Sequence, residues 1–281
     1  MKIKLVFDST IVLNAEEAKK YNVAITPFII NDNGKIYHDN VDIKPMDFYG
    51  LWEKNNRILT SQPNIGETTE LFNEILKEYD HIIYFTIPEV LSGTYATGKM
   101  IAQEIGESKI SVVDAGTGVG AFRVMAEVGN KMIEEGKSVE EIIEHLEKAK
   151  DNSLLFVLPA NMDGLKAGGR VNNITASIFG MIKLKIGLYL AKSGYIEKYE
   201  ISRTDSKMIS RIISKVKQDI GSDDLIIYLI YTDDKSLLDT PTETIKKEFP
   251  NSQFEYMELS PTLGAHTGPK TISFHFCKKH W

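Results

Sequence analysis

The sequence predicts an α/β protein made of two α/β domains, with a mainly parallel sheet in the first and a mixed sheet with a β-hairpin in the second. Three observations carry this expectation. Apolar, β-branched and aromatic runs ending near residues 8, 30, 87 and 114 alternate with helical stretches, as in βαβ units. The run His81-Ile82-Ile83-Tyr84-Phe85-Thr86-Ile87 is almost continuously apolar, as a strand covered on both faces must be. In the second half, two strand-like runs flank Ser193-Gly194, a hairpin signal.

In chain order, residues 1–8 read as the first strand and end in Asp8-Ser9-Thr10. A short helix is expected over 16–20 and a strand over 23–30, followed by the turn signal Asn31-Asp32-Asn33-Gly34. Pro45 opens a helix, where its missing N–H costs nothing. Thr60-Ser61-Gln62-Pro63 reads as a polar loop, and Ile65, Leu71, Phe72, Ile75 and Leu76 form the apolar stripe of the next helix. After the central strand come a helix over 96–105, a strand over 109–114, a small-residue loop over 115–120 and a helix over 121–135. Ser138 and Glu141 are spaced as a capping box at the head of a helix reaching 150. Residues 150–153 are the best boundary, which divides the chain into 1–153 and 154–281. The second part reads as a strand over 154–158, helices over 162–167 and 174–182, and the hairpin over 184–203. A helix over 208–220, a strand over 225–231, a helix over 242–249 and strands over 254–259 and 271–276 follow. The last two strands are joined by a loop holding Gly264 to Pro269.

Composition narrows the function. Of 281 residues, 42% are hydrophobic and 26% charged, a globular balance able to bury a substantial core. A net charge of -6 and a pI of about 5.6 argue against general nucleic-acid binding. A single cysteine, Cys277, excludes an intramolecular disulfide and fits a reducing compartment. The apolar start is too short for a signal-peptide core. The most apolar region, 174–191, is interrupted by Lys183 and Lys185 and makes a poor membrane span. A cytoplasmic location is therefore expected.

Leu91-Ser92-Gly93-Thr94-Tyr95 lies between the central strand and a helix. A strand-to-helix turn offers free backbone N–H groups and the positive end of a helix dipole, so its hydroxyls and glycine could cradle an anion. The bland alternative is that Ser92 only caps the helix. Gly116-Thr117-Gly118-Val119-Gly120 lacks dinucleotide-loop spacing and reads better as a close-packed turn than as a nucleotide site. Ser92 lacks the preceding glycine of a hydrolase elbow. The histidines are scattered, so no metal or cofactor is expected. Four polar stretches remain: Thr60-Ser61-Gln62-Pro63, the Ser92 stretch, Gly168-Gly169-Arg170 and His266-Thr267-Gly268-Pro269. Singly, each fits a cap, a turn or a solvated cation. Converged in one cleft, they make an anion site.

Together these four stretches, with Asp8-Ser9-Thr10 and Lys166-Ala167 before Gly168, resemble the DegV family of bacterial fatty-acid-binding proteins over essentially the whole chain. The resemblance implies two α/β domains with a long-chain fatty acid between them. It implies a carboxylate held by Thr60 and Ser92, with Ser61 and Gly93 beside them, and Arg170 and His266 as supporting charge. It further implies a non-catalytic subunit that presents the lipid to a separate ATP-dependent fatty acid kinase subunit. The product would be an acyl phosphate for phospholipid synthesis, with transient membrane contact for lipid exchange. Three positions depart from the family pattern: Ile186 follows Lys185, Lys270 follows Pro269, and Pro88-Glu89 precede the Ser92 stretch. A long apolar slot with donors at one end is what a fatty acid requires, and Phe179 and Met181 are candidate wall residues. The rival reading is a stand-alone serine hydrolase with Ser92 as nucleophile and His266 as base.

Overall fold

The chain, seen in a computed structural model, is described over residues 1–52, 58–160, 169–170 and 184–281. It begins β1 (Ile3–Asp8), α1 (Ala15–Lys20), β2 (Val23–Thr26), β3 (Ile29–Asp32), β4 (Lys35–His38), α2 (Pro45–Trp52) and β5 (Leu59–Ser61). Next come α3 (Ile65–Ile75), β6 (His81–Thr86), α4 (Thr94–Ile105), β7 (Ile110–Asp114), α5 (Gly120–Glu134) and α6 (Val139–Leu146). The second half contains β8 (Ser153–Leu158), β9 (Lys185–Leu190), β10 (Ile196–Ser202), α7 (Asp205–Asp219), β11 (Leu225–Tyr231), α8 (Asp239–Glu248), β12 (Gln253–Glu258), α9 (Pro261–Thr267) and β13 (Ile272–Lys278). The helices expected over 162–167 and 174–182, with Gly168, Phe179 and Met181, lie outside the described residues.

The first sheet is wholly parallel, in the order β2-β1-β6-β7. Its strands are joined through helices, because a parallel return needs a crossover. From β1 the chain leaves towards β2, whereas from β6 it leaves towards β7. The order therefore reverses between β1 and β6, and the crevice beyond their carboxyl ends is the favoured ligand position in such sheets. All six residues of β6 are buried, as expected for a strand covered by helices on both faces. The second sheet runs β10-β9-β8-β13-β11-β12 and is antiparallel except between β11 and β12. The hairpin around Ser193-Gly194 forms its β9–β10 edge.

The expected single strand over 23–30 is broken in two. Val23–Thr26 stays in the first sheet, and Ile29–Asp32 leaves it to found a third, antiparallel sheet of order β4-β3-β5. That sheet corrects the reading of residues 60–63 as a polar loop: Thr60 and Ser61 belong to β5 and pair with Ile30 and Ile29 of β3. Three residues of pairing are too few to leave a hydrophobic pattern in the sequence.

Helix α5 joins the two large sheets. Its Phe122, Met125 and Ala126 enter the core of the first sheet, with Phe7, Ile83 and Phe85. Ala121 and Val124 enter a second cluster with Ile226, Tyr228 and Cys277. Gly120 lies so close to the Tyr228 ring that a Cβ there would overlap it. Glycine in the Gly116–Gly120 stretch thus serves close packing. Ser138 and Glu141 form the expected capping box on α6, each side chain bonded to the other's backbone N–H.

Candidate functional site: a cavity between the sheets

The site is built outward from the reversal point of the first sheet. Asp8, at the end of β1, accepts from Thr10 N (3.0 Å) and Thr10 Oγ1 (2.5 Å) through one oxygen and from Ile87 N (2.7 Å) through the other. It thereby ties the ends of β1 and β6 together. Burial pushes its carboxyl up to about 6 against the pull of these donors. A second buried acid, Asp39, accepts from Ser9 Oγ (2.7 Å) and from Thr262 N at the head of α9 (3.4 Å). Burial raises it as well, to about 6. Asp39 links the first-half framework to the helix that carries His266. Sequence reasoning missed it, because a lone Asp in a polar stretch has no pattern.

His266 was expected in a loop. It lies instead in the last turn of α9, whose first turn is set by a Ser260 side-chain cap and Pro261. Its Nε2 is 2.8 Å from Thr60 Oγ1 of β5, a contact across 206 residues that neither motif foretells. Its Nδ1 is buried with no hydrogen-bond partner among the described residues. Burial, reinforced by the Arg170 charge, lowers the imidazole to about 4. This shift favours the uncharged, hydrogen-bonding form of the His266 ring. Arg170 Nε donates to Leu91 O at 3.4 Å, which places the guanidinium beside the Ser92 stretch.

The cap position of α4 is Gly93, which has no side chain to offer, but one residue earlier Ser92 Oγ accepts from Thr94 N, at the first residue of the helix, at 3.4 Å. Ser92 Oγ pairs with Thr94 Oγ1 at 2.8 Å. Gln62 reaches over from the end of β5 to donate to Thr97 Oγ1 at 2.5 Å. A Cβ on Gly93 would collide with the Gln62 amide, so glycine here lets β5 and α4 approach. His266 bonds Thr60 rather than Ser92, and among the described residues no acid bonds its Nδ1, so the Ser–His–acid arrangement of the hydrolase reading is not assembled from them. Lys270 keeps a left-handed backbone (φ 55) despite its side chain and is held by Asp233 through its N–H at 2.5 Å.

Thr60, Ser61, Ser92, Arg170 and His266 all line one cavity between the two large sheets. Counted out into the open solvent at its mouth, the space spans about 1040 Å³. Ser61, Gly93 and Arg170 are exposed, Thr60 and Ser92 half-buried, so these polar groups sit at the mouth. Gly93 stands beside the lining rather than in it. The lining is mostly apolar, with Phe28, Ile87 and Val157 buried and Leu155, Leu190 and Ile196 half-buried, and it also includes the buried residues Thr10, Thr117 and Ser273. No helix among the described residues is long and apolar enough to cross a membrane.

Comparison with known proteins follows the same outline. Residues 2–279 match the sequence model of a family described as "Uncharacterised protein, DegV family". The chain is 29% identical to a DegV domain-containing protein of Clostridium perfringens, over 99% of this chain and 100% of that one. It is 26% identical to a protein of Thermotoga maritima named fatty acid-binding protein, over 98% of this chain and 97% of that one. A Thermus thermophilus structure titled as fatty acid binding of a DegV family protein superposes with a TM-score of 0.89 at 27% identity, covering 99% and 100% of the two chains. The structure of DegV from Bacillus subtilis, titled a fatty acid binding protein, gives 0.88 at 25% identity and 99% coverage of both.

Proposed function

The chain belongs to the DegV family, and on that premise we propose that it binds a long-chain fatty acid between its sheets and presents the carboxylate to a separate ATP-dependent kinase subunit. The observation that carries this reading is the make-up of the cavity: the hydroxyls of Thr60 and Ser92, the His266 ring and the Arg170 guanidinium share one predominantly apolar lining. A buried carboxylate is costly unless hydrogen-bonded, and a buried chain contributes roughly 0.8 kcal/mol per methylene.

In the proposed complex, Thr60 and Ser92 donate to the carboxylate, with Ser61 and the Gly93 N–H beside them. A Thr60 hydroxyl that donates to the ligand must accept from His266, which fixes the proton of the neutral imidazole on Nε2. Arg170 supplies the permanent positive charge near the mouth. Once phosphorylation begins, Arg170 and the Thr60–His266 pair would stabilise the charge growing on the transferred group. The chain itself contributes no nucleophile. The kinase subunit supplies ATP and transfers the phosphoryl group, and the acyl phosphate feeds phospholipid synthesis. Residues 1–153 and 154–281 serve as the two domains that hold the lipid between them. The protein works in the cytoplasm and touches the membrane only to exchange lipid.

Native mass spectrometry of the purified chain, followed by organic extraction, tests the ligand. One long-chain fatty acid per chain is expected. A protein that is empty and takes up no added fatty acid refutes the reading. ATP-dependent phosphorylation of the bound lipid by an added kinase subunit tests presentation, and a chain that forms acyl phosphate from ATP alone would overturn the non-catalytic role.

A further inference from the structure

We infer that Thr117, Leu155 and Leu190 form a one-side-chain-thick end-stop to the acyl cavity, and that the cleft behind them is an overflow subsite for the far end of longer acyl chains. The inference rests on the fatty-acid reading above and deepens it by naming what limits chain length.

These three residues line both the main cavity and a second cleft that opens to solvent. They come from the loop after β7 and from β8 and β9, elements that supply none of the polar groups at the mouth. The passage from one space to the other can be followed along three stretches of chain. On β8 alternate residues face the same side: Val157 lines only the cavity, Leu155 lines both spaces, and Ser153 lines only the cleft. On the loop, Val119 and Gly118 line the cavity, Thr117 lines both, and Gly116 lines the cleft. On the hairpin, Ile196 lines the cavity, Leu190 both, and Lys192 the cleft. One layer of side chains therefore separates the two spaces in each direction.

The three members of the partition differ in freedom. Thr117 is buried and tethered to Ser153 Oγ at 3.5 Å, whereas Leu155 and Leu190 are only half-buried. Leu190 ends β9, next to the hairpin turn, so a change there disturbs little core. Beyond the partition, the cleft is apolar against Leu155 and Leu190 and charged at its rim, where Lys192 pairs with Asp151 at 2.7 Å and Lys215 with Asp219 at 2.8 Å. An acyl terminus pushed between the leucines would stay covered for its first few methylenes and then meet water.

The test offers an equimolar mixture of myristic, palmitic, stearic, arachidic and behenic acids to the wild-type chain, Leu190→Ala and Leu190→Phe. Native mass spectrometry then reads the bound acids. Leu190→Ala is expected to shift the preferred chain about two carbons longer. Each newly buried methylene raises affinity about four-fold, so the ratio of the longer acid to the shorter rises by about fifteen-fold. Leu190→Phe should shift the preference shorter. A fluorophore on Lys192→Cys gives a second reading, since the native Cys277 is buried. Its emission should respond to behenic acid and not to myristic acid. The same chain-length profile in all three proteins overturns the end-stop alone. Failure of all three, wild type included, to bind any acid overturns the fatty-acid reading and the end-stop with it.

Discussion

Replacing Thr60 by Val tests the mouth of the site with the least change of shape. The threonine hydroxyl lies 2.8 Å from His266 Nε2, and the other ring nitrogen has no partner among the described residues. In the ligand-free protein the substitution removes one neutral hydrogen bond and leaves neither ring nitrogen with a partner among the described residues. The expected loss of stability is about 1 kcal/mol, up to about 3 if the ring cannot turn to another acceptor. A loss of about 1 kcal/mol corresponds to roughly 2 °C in melting temperature for a chain of this size. In the complex the same change removes a hydrogen bond to a charged carboxylate, which contributes about 1.5–3 kcal/mol. That weakens fatty acid binding by roughly 10- to 150-fold. Calorimetric titration with palmitate, beside a thermal melt without ligand, measures both effects. A folded Thr60→Val protein whose affinity stays within about three-fold of wild type, well below the 1.5 kcal/mol floor, would refute the donor role of Thr60.

Three further outcomes are expected. Ser92→Ala should weaken fatty acid binding by about ten-fold and reduce partner-dependent phosphorylation, measured as acyl phosphate formed per minute; unchanged values for both would remove Ser92 from the site. Asp39 binds its proton more tightly folded (about 6) than at its ordinary 3.8, so its contribution to stability is greatest below about pH 4, falls as pH rises to about 6 and is flat above. Asp39→Asn should therefore gain on wild type over that interval, by about 3 kcal/mol at most, in denaturant melts across the pH range; a pH-independent difference would show that Asp39 is not buried as an acid. Gly120→Ala should cost about 1–3 kcal/mol through overlap with the Tyr228 ring, and chemical denaturation showing no loss would mean that α5 and the second sheet are not packed so closely.

The site was legible as a set of parts. Hydroxyls beside glycine at residues 92–94 and near 60, a guanidinium after Gly168-Gly169, and an imidazole before Gly268 are chemical facts of the sequence, and a family resemblance bound them into one list. The pairing of Thr60 with His266 was not legible, because a hydrogen bond across 206 residues leaves no local trace. Nor was the protonation of His266. Its low value comes from burial and from Arg170, and both depend on how α9 docks beside β5. Asp39 escaped notice for the same reason: its partners Ser9 and Thr262 lie far away in the chain.

What the sequence determined by itself was everything written in short periods. β6 is almost continuously apolar and is buried throughout. Ser138 and Glu141 stand three apart and cap α6. Ser193-Gly194 turns a hairpin where a hairpin was expected. In each case the forces act within a few residues, so composition and spacing suffice. What only the tertiary structure decided is where the elements meet: the departure of β3 into a third sheet, the wedging of α5 between two cores, and the sharing of Thr117, Leu155 and Leu190 by the linings of two cavities. Those outcomes depend on non-directional burial and on shape fitting between segments far apart in the chain, and no local pattern encodes which surfaces will be brought face to face.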